Sequence, residues 1–184
     1  MLHLTILMLD LSNQEKLTKA QALLTSLLPK IQNQFMKTPM NLTFKGVQTF
    51  QDKNPSEARV LYFEVKQDEG HGRLKSMASY IIDQFVTEGI IRQDELSQVK
   101  FNPSLGYYDM KFHLSLINSK RWETFNAKPA IDKFKDTSLG TFRVNQIHIS
   151  SRSHIDEEDG SRVERNESRG QGYYACDGKI ELVE

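Results

Sequence analysis

Two segments of the chain spell nearly the same pattern. His3-Leu4-Thr5-Ile6 and His113-Leu114-Ser115-Leu116 share the order histidine, apolar, hydroxyl, apolar, and they open 110 residues apart. In a strand, residues i and i+2 face the same side. Each segment therefore projects an imidazole and a hydroxyl together, while Leu4 or Leu114 faces the layer behind. The likeness continues downstream of each motif. LHLTILML leads through a helix to LTFKGVQTF and VLYFEV, and MKFHLSLI leads through a helix to TFRVNQIHIS and YYACDGKIEL. A repeat constrains architecture more than any single element does. Two strand–helix–strand–strand units predict an α+β protein with two antiparallel sheets facing each other across a cleft. A pseudo-two-fold axis would bring both motif strands to its middle.

Periodicity gives the individual elements. Residues 2–9 read as a short buried strand. Ser12 and Glu15 have the spacing of a capping box, and Leu17, Ala20, Leu24, Leu27, Leu28 and Ile31 then predict a helix over 13–35, with a kink or break at Pro29. Extended runs 41–50 and 59–65, split by the turn-rich QDKNPSEA, predict a hairpin. Leu74, Met77, Ala78, Ile81 and Phe85 line one face of a helix over 72–88 that Gly89 can end. A strand over 110–117, a short helix over 129–135, and strands over 141–151 and 173–183 complete the second unit. Residues 152–172 lack apolar periodicity and read as a mobile loop. The second unit has a helix before it and the first has none, so an N-terminal strand and helix are expected to be missing.

Composition narrows the class. The chain has 184 residues, 24 basic and 24 acidic side chains and no formal net charge, which suits one soluble domain spanning 1–184 and argues against a non-specific DNA coat. The lone Cys176 excludes an intrachain disulfide framework and a multi-cysteine zinc site. No apolar run reaches the roughly 18 residues of a membrane span, and the N-terminus lacks the basic region of a signal peptide. A reducing, intracellular setting, nuclear or cytoplasmic, is expected, with no membrane partner. Charge is uneven: residues 98–152 carry nine Lys/Arg and four Asp/Glu, whereas residues 153–184 carry four and nine. Lys111, Lys120, Arg121 and Arg143 lie in the basic stretch around the second motif, as an RNA-backbone track would.

A single His-x-Thr in an apolar strand is more often a partly buried structural histidine. Two copies, each opening one half of a repeat, are read as one shared site. Near neutral pH one imidazole can act as base while another acts as acid, and the Thr5 and Ser115 hydroxyls are suited to donate to phosphate oxygens. No metal or cofactor is called for. The third pair, His148 and Ser150, opens a polar segment and reads as a look-alike. His71 and His154 read as solvated, and Cys176 as a small buried residue.

The paired motifs resemble the signature of the 2H phosphoesterase (LigT-like) superfamily. FKGVQTF, VLYFEV, the Lys111-Phe112-His113 context, FRVNQIHISSR and GYYACDGKIEL extend the likeness over nearly the whole chain. They resemble the eukaryotic subgroup that contains the phosphoesterase domain of activating signal cointegrator 1 complex subunit 1 and the central domain of A-kinase anchoring protein 7. The resemblance implies a two-lobed fold with helices outside. It also implies phosphodiesterase action on RNA or oligonucleotide 2′/3′ linkages, of cyclic phosphate or 2′–5′ type. His3 and His113 would be the base/acid pair, Thr5 and Ser115 the phosphate ligands, and Lys111, Phe112 and Tyr174 nucleotide-binding residues. It equally implies an alternative, a catalytically weak or inactive RNA- or nucleotide-binding subunit of a coactivator or repair complex, with protein partners.

Overall fold

The structure is a computed structural model that describes residues 3–11, 13–51, 53–96, 99–119, 123–151, 153–155, 162–164 and 175–183. Helix α1 (Gln14–Phe35) starts at Asn13, whose side chain accepts the Glu15 amide at 2.7 Å. The cap is thus Asn13, and Ser12 lies outside the described residues. Ala20, Leu24, Leu27, Ile31 and Phe35 form the buried stripe, as the spacing predicts. Pro29 does not break the helix. It sits on the exposed face with Thr25, the residue whose carbonyl loses its intrahelical donor, so the missing bond falls on the solvent side of the helix.

Strands β1 (Asn41–Thr49) and β2 (Val60–Val65) form the expected antiparallel hairpin. Helix α2 (Glu69–Thr87) begins three residues before 72 because Asp68 caps it, its carboxylate accepting the His71 amide at 3.2 Å. Gly89, at φ +66°, ends it as predicted. The short strands β3 (Lys100–Asn102) and β4 (Tyr107–Asp109) pair with each other, and β5 (His113–Asn118) carries the second motif. Helix α3 (Lys128–Phe134) comes next.

The run 141–151, predicted as one strand, is two. β6 (Ser138–Arg143) and β7 (Gln146–Ser151) belong to different sheets. At the crossing, the Val144 amide donates to the Met40 carbonyl and the Leu182 amide to the Asn145 carbonyl, both at 2.8 Å. The break therefore leaves these backbone groups paired while the chain changes sheets. Within 152–172, the segment expected to be a mobile loop, the described residues form a small hairpin, β8 (Ser153–Ile155) with β9 (Arg162–Glu164). The last strand is β10 (Ala175–Glu181).

One antiparallel sheet runs β5-β2-β1-β6, and a second pairs β10 with β7. β5, which opens the second unit, thus joins the hairpin of the first unit. Helix α1 packs on α2 and on β10, and one hydrophobic core runs through both helices and both sheets. This is the expected α+β arrangement of the two-lobed LigT-like type. No helix among the described residues is long and apolar enough to cross a membrane.

One predicted strand is not formed. Residues 3–11 have no regular secondary structure, and no strand among the described residues pairs with them. Leu4, Ile6, Leu7, Leu9 and Leu11 are half-buried against the core, while Met8 is 61% exposed. The inward positions lose strict alternation at Ile6-Leu7. An apolar run supplies side chains to bury, but a strand also needs a neighbour to take its amides and carbonyls.

Candidate functional site

The four-stranded sheet has two unlike faces. Leu42, Phe44, Val47 and Thr49 of β1, Leu61, Phe63 and Val65 of β2, and Leu114 of β5 are buried on the helix side. The register sets Glu64 opposite His113 and Tyr62 opposite Ser115 and Gln48. Alternation then puts His113, Ser115, Tyr62, Glu64 and Gln48 on the other face. Thr43 and Thr141 lie there too, their hydroxyls 2.9 Å apart. The second motif thus lies on a polar sheet face backed by an apolar one.

His113 is half-buried and fixed from two directions. Its Nδ1 lies 3.0 Å from the Lys111 carbonyl. A carbonyl only accepts, so Nδ1 carries the proton, and in the neutral ring Nε2 is left as the basic nitrogen. Phe50 and Tyr62 meet the imidazole edge-on, with centroids at 4.8 and 5.4 Å. The Lys111 ammonium lies over the Tyr62 and Phe50 rings at 5.3 and 5.6 Å, placing a positive charge beside the histidine. Ser115 is half-buried on the same strand face. The imidazole and hydroxyl of edge strand β5 and the ammonium of Lys111 just before it therefore share one side of the sheet.

His3 and Thr5 are exposed, and Leu4 between them is half-buried against the core. The outward-inward alternation of the motif persists there, outside the ladders of the described residues. Other candidates fare differently. Phe112 is 4% exposed and packs edge-on against His71 at 6.2 Å, so it is a core residue with no free face for a base. Tyr174, Lys120 and Arg121 lie outside the described residues. Arg143 is exposed on the polar face, at the opposite edge of the sheet from His113.

His71, read as solvated, is half-buried. Burial first, then the nearby Lys75 charge, holds its pKa below the ordinary histidine value, partly opposed by Asp68. Cys176, expected buried, is exposed on β10. His148 lies on β7 with Nε2 2.8 Å from Gln146 Oε1, and Gln146 donates to Glu181 at 3.0 Å. The Glu181 carboxyl is held below its usual pKa, chiefly by the Lys179 hydrogen bond. His148 thus belongs to a network of its own strand ribbon. Among the described residues, no group of three or more His, Cys, Asp or Glu is placed to hold a metal ion.

Sequence reasoning missed Phe50, Tyr62 and Glu64. The signal for them is cross-strand register, which depends on a bulge in β1 between Phe44 and Val47. Simple alternation from Leu42 and Phe44 would send Phe50 to the core.

Two comparisons bear on this arrangement. The family model for the AKAP7 2'5' RNA ligase-like domain matches residues 1–182. Activating signal cointegrator 1 complex subunit 1 of Mus musculus is 25% identical over 172 residues, covering 84% of this chain and 47% of the mouse protein. The chain thus spans about half the length of that relative. With the twin histidine motifs in sequence, the α+β fold and a family match from end to end, the chain belongs to the AKAP7 2'5' RNA ligase-like domain family of 2H phosphoesterases.

Proposed function

We propose that this chain is a metal-independent phosphodiesterase acting on 2′/3′ phosphodiesters of RNA or oligonucleotides, with His3 and His113 as the base/acid pair and Thr5 and Ser115 as phosphate-oxygen donors. The observation that carries the reading is His113 itself. A backbone carbonyl fixes its tautomer, a hydroxyl two residues on shares its face, and a lysine charge stands alongside. In hydrolysis of a 2′,3′-cyclic phosphate, one neutral imidazole takes a proton from water as its oxygen attacks phosphorus. The opposite P–O bond breaks, and the other, protonated imidazole gives its proton to the departing ribose oxygen. Charge gathering on the non-bridging oxygens is met by the two hydroxyls and by Lys111. Nuclear or cytoplasmic residence belongs to the same reading.

A second reading has its own support. The mouse relative is by name a complex subunit, which favours a nucleotide-binding module with protein partners and little turnover. Incubating the chain with 2′,3′-cyclic nucleotides and short RNAs in EDTA separates the two. Product formation is expected. Saturable binding without product would move the assignment to the binding module, and product only after metal is restored would refute metal independence.

A further inference from the structure

Phe50 presents a chemistry that the catalytic residues do not use. It is a large apolar side chain, 41% exposed, on an otherwise polar sheet face. Its position is built by the backbone. Register slips between Phe44 and Val47, where Gly46 takes φ +79°, so Val47 and Thr49 continue the core and Gln48 and Phe50 pass to the opposite side. The ring is then braced by Tyr62, with centroids 4.7 Å apart and planes 36° from parallel, and Tyr62 is itself wholly buried. Its edge partner is the His113 imidazole, and the Lys111 ammonium lies 5.6 Å from its centroid. A braced, solvent-facing aromatic ring beside an imidazole and a cation suits a ligand that joins a flat ring to an anion. A nucleotide has that form.

We propose that Phe50 is the stacking platform for the nucleobase of the nucleotide whose phosphate lies at His113, with Lys111 meeting the phosphate charge. This rests on the nucleotide reading of the site and narrows it to ligands carrying a base next to the bound phosphate. Stacking accepts any base, because every base offers a π-face, so the platform sets the need for a base rather than its identity.

The test compares adenosine 5′-monophosphate with ribose 5-phosphate by calorimetric titration, without turnover. Wild-type chain is expected to bind the nucleotide roughly 5- to 150-fold more tightly, the worth of one stacked base. Phe50→Leu should collapse that ratio towards one. Phe50→Trp should keep the ratio or raise it. Equal wild-type affinity for the two ligands, no nucleotide binding, or a Phe50→Leu variant that retains the ratio would each overturn the platform. So would a Phe50→Leu variant that loses both ligands equally. Catalytic failure is read separately, by product formation from cyclic nucleotides, so a chain that stacks bases without hydrolysing them leaves this inference standing.

Discussion

The two copies of the motif use the same residue pattern but are held by different means. His113 and Ser115 ride on a strand whose hydrogen bonds to β2 set which way each side chain points, and Leu114 behind them is 5% exposed. His3 and Thr5 ride on a segment outside the ladders of the described residues, where half-buried Leu4, Ile6 and Leu7 pack on the core. In one case backbone pairing sets orientation. In the other, the inward packing of Leu4 does. Alternation survives in both, because placing the intervening leucine inward turns its neighbours outward.

The sharpest way to break this comparison is turnover. His113→Asn and His3→Asn should each lower kcat on a 2′,3′-cyclic nucleotide by about 10²–10⁴-fold, the usual worth of one acid or base. Their thermal melts should match wild type. Wild-type turnover in His3→Asn alone would show that the N-terminal segment is only packing.

Stability comes next. Leu114→Ala should cost about 2–5 kcal/mol in urea denaturation, as loss of a fully enclosed leucine does. Leu4→Ala, already half open to solvent, should cost about 1 kcal/mol. Equal costs would mean that the two motifs are anchored alike.

A smaller effect is expected at the bulge. A Cβ at Gly46 would lie 2.8 Å from the Lys135 carbonyl oxygen, at a φ of +79° that side chains seldom adopt. Gly46→Ala should therefore cost about 1–3 kcal/mol, and should weaken nucleotide binding if the strand answers by giving up its bulge and withdrawing Phe50.

The smallest effect concerns His71, which packs on Phe112 immediately before the second motif. Its folded pKa lies below the ordinary 6.5, so the unfolded chain binds its proton first as pH falls. The contribution of this group is complete above pH 6.5, and it is lost as pH falls from there through the lower folded value. His71→Gln should flatten the acid side of the urea-midpoint profile. An unchanged slope would remove His71 from the account.

Much of this is legible without coordinates. The stripes of α1 and α2, the β1–β2 hairpin, the helix end at Gly89 and the motif strand β5 come from periodicity and local turn chemistry, and the structure has them close to their predicted positions. The misses share a cause. The strand over 2–9, the single strand over 141–151 and the stacking role of Phe112 all rest on side-chain pattern. Each depends on a partner elsewhere. Phe112 is the plainest case: adjacent to His113, it must point the other way on the same strand, and there it meets His71 and the core rather than solvent.

By itself the sequence determined the repeat, the two His-x-Thr/Ser motifs and the apolar faces that make an α+β core, because these are set by the order of polar and apolar residues along a chain of known period. The tertiary structure alone decided which strands pair, where β6 hands over to β7, and that a one-residue slip at Gly46 moves Phe50 from the core side to the histidine's side. Register is a relation between segments distant in sequence. With a side-chain period of two, a single extra residue reverses every face beyond it.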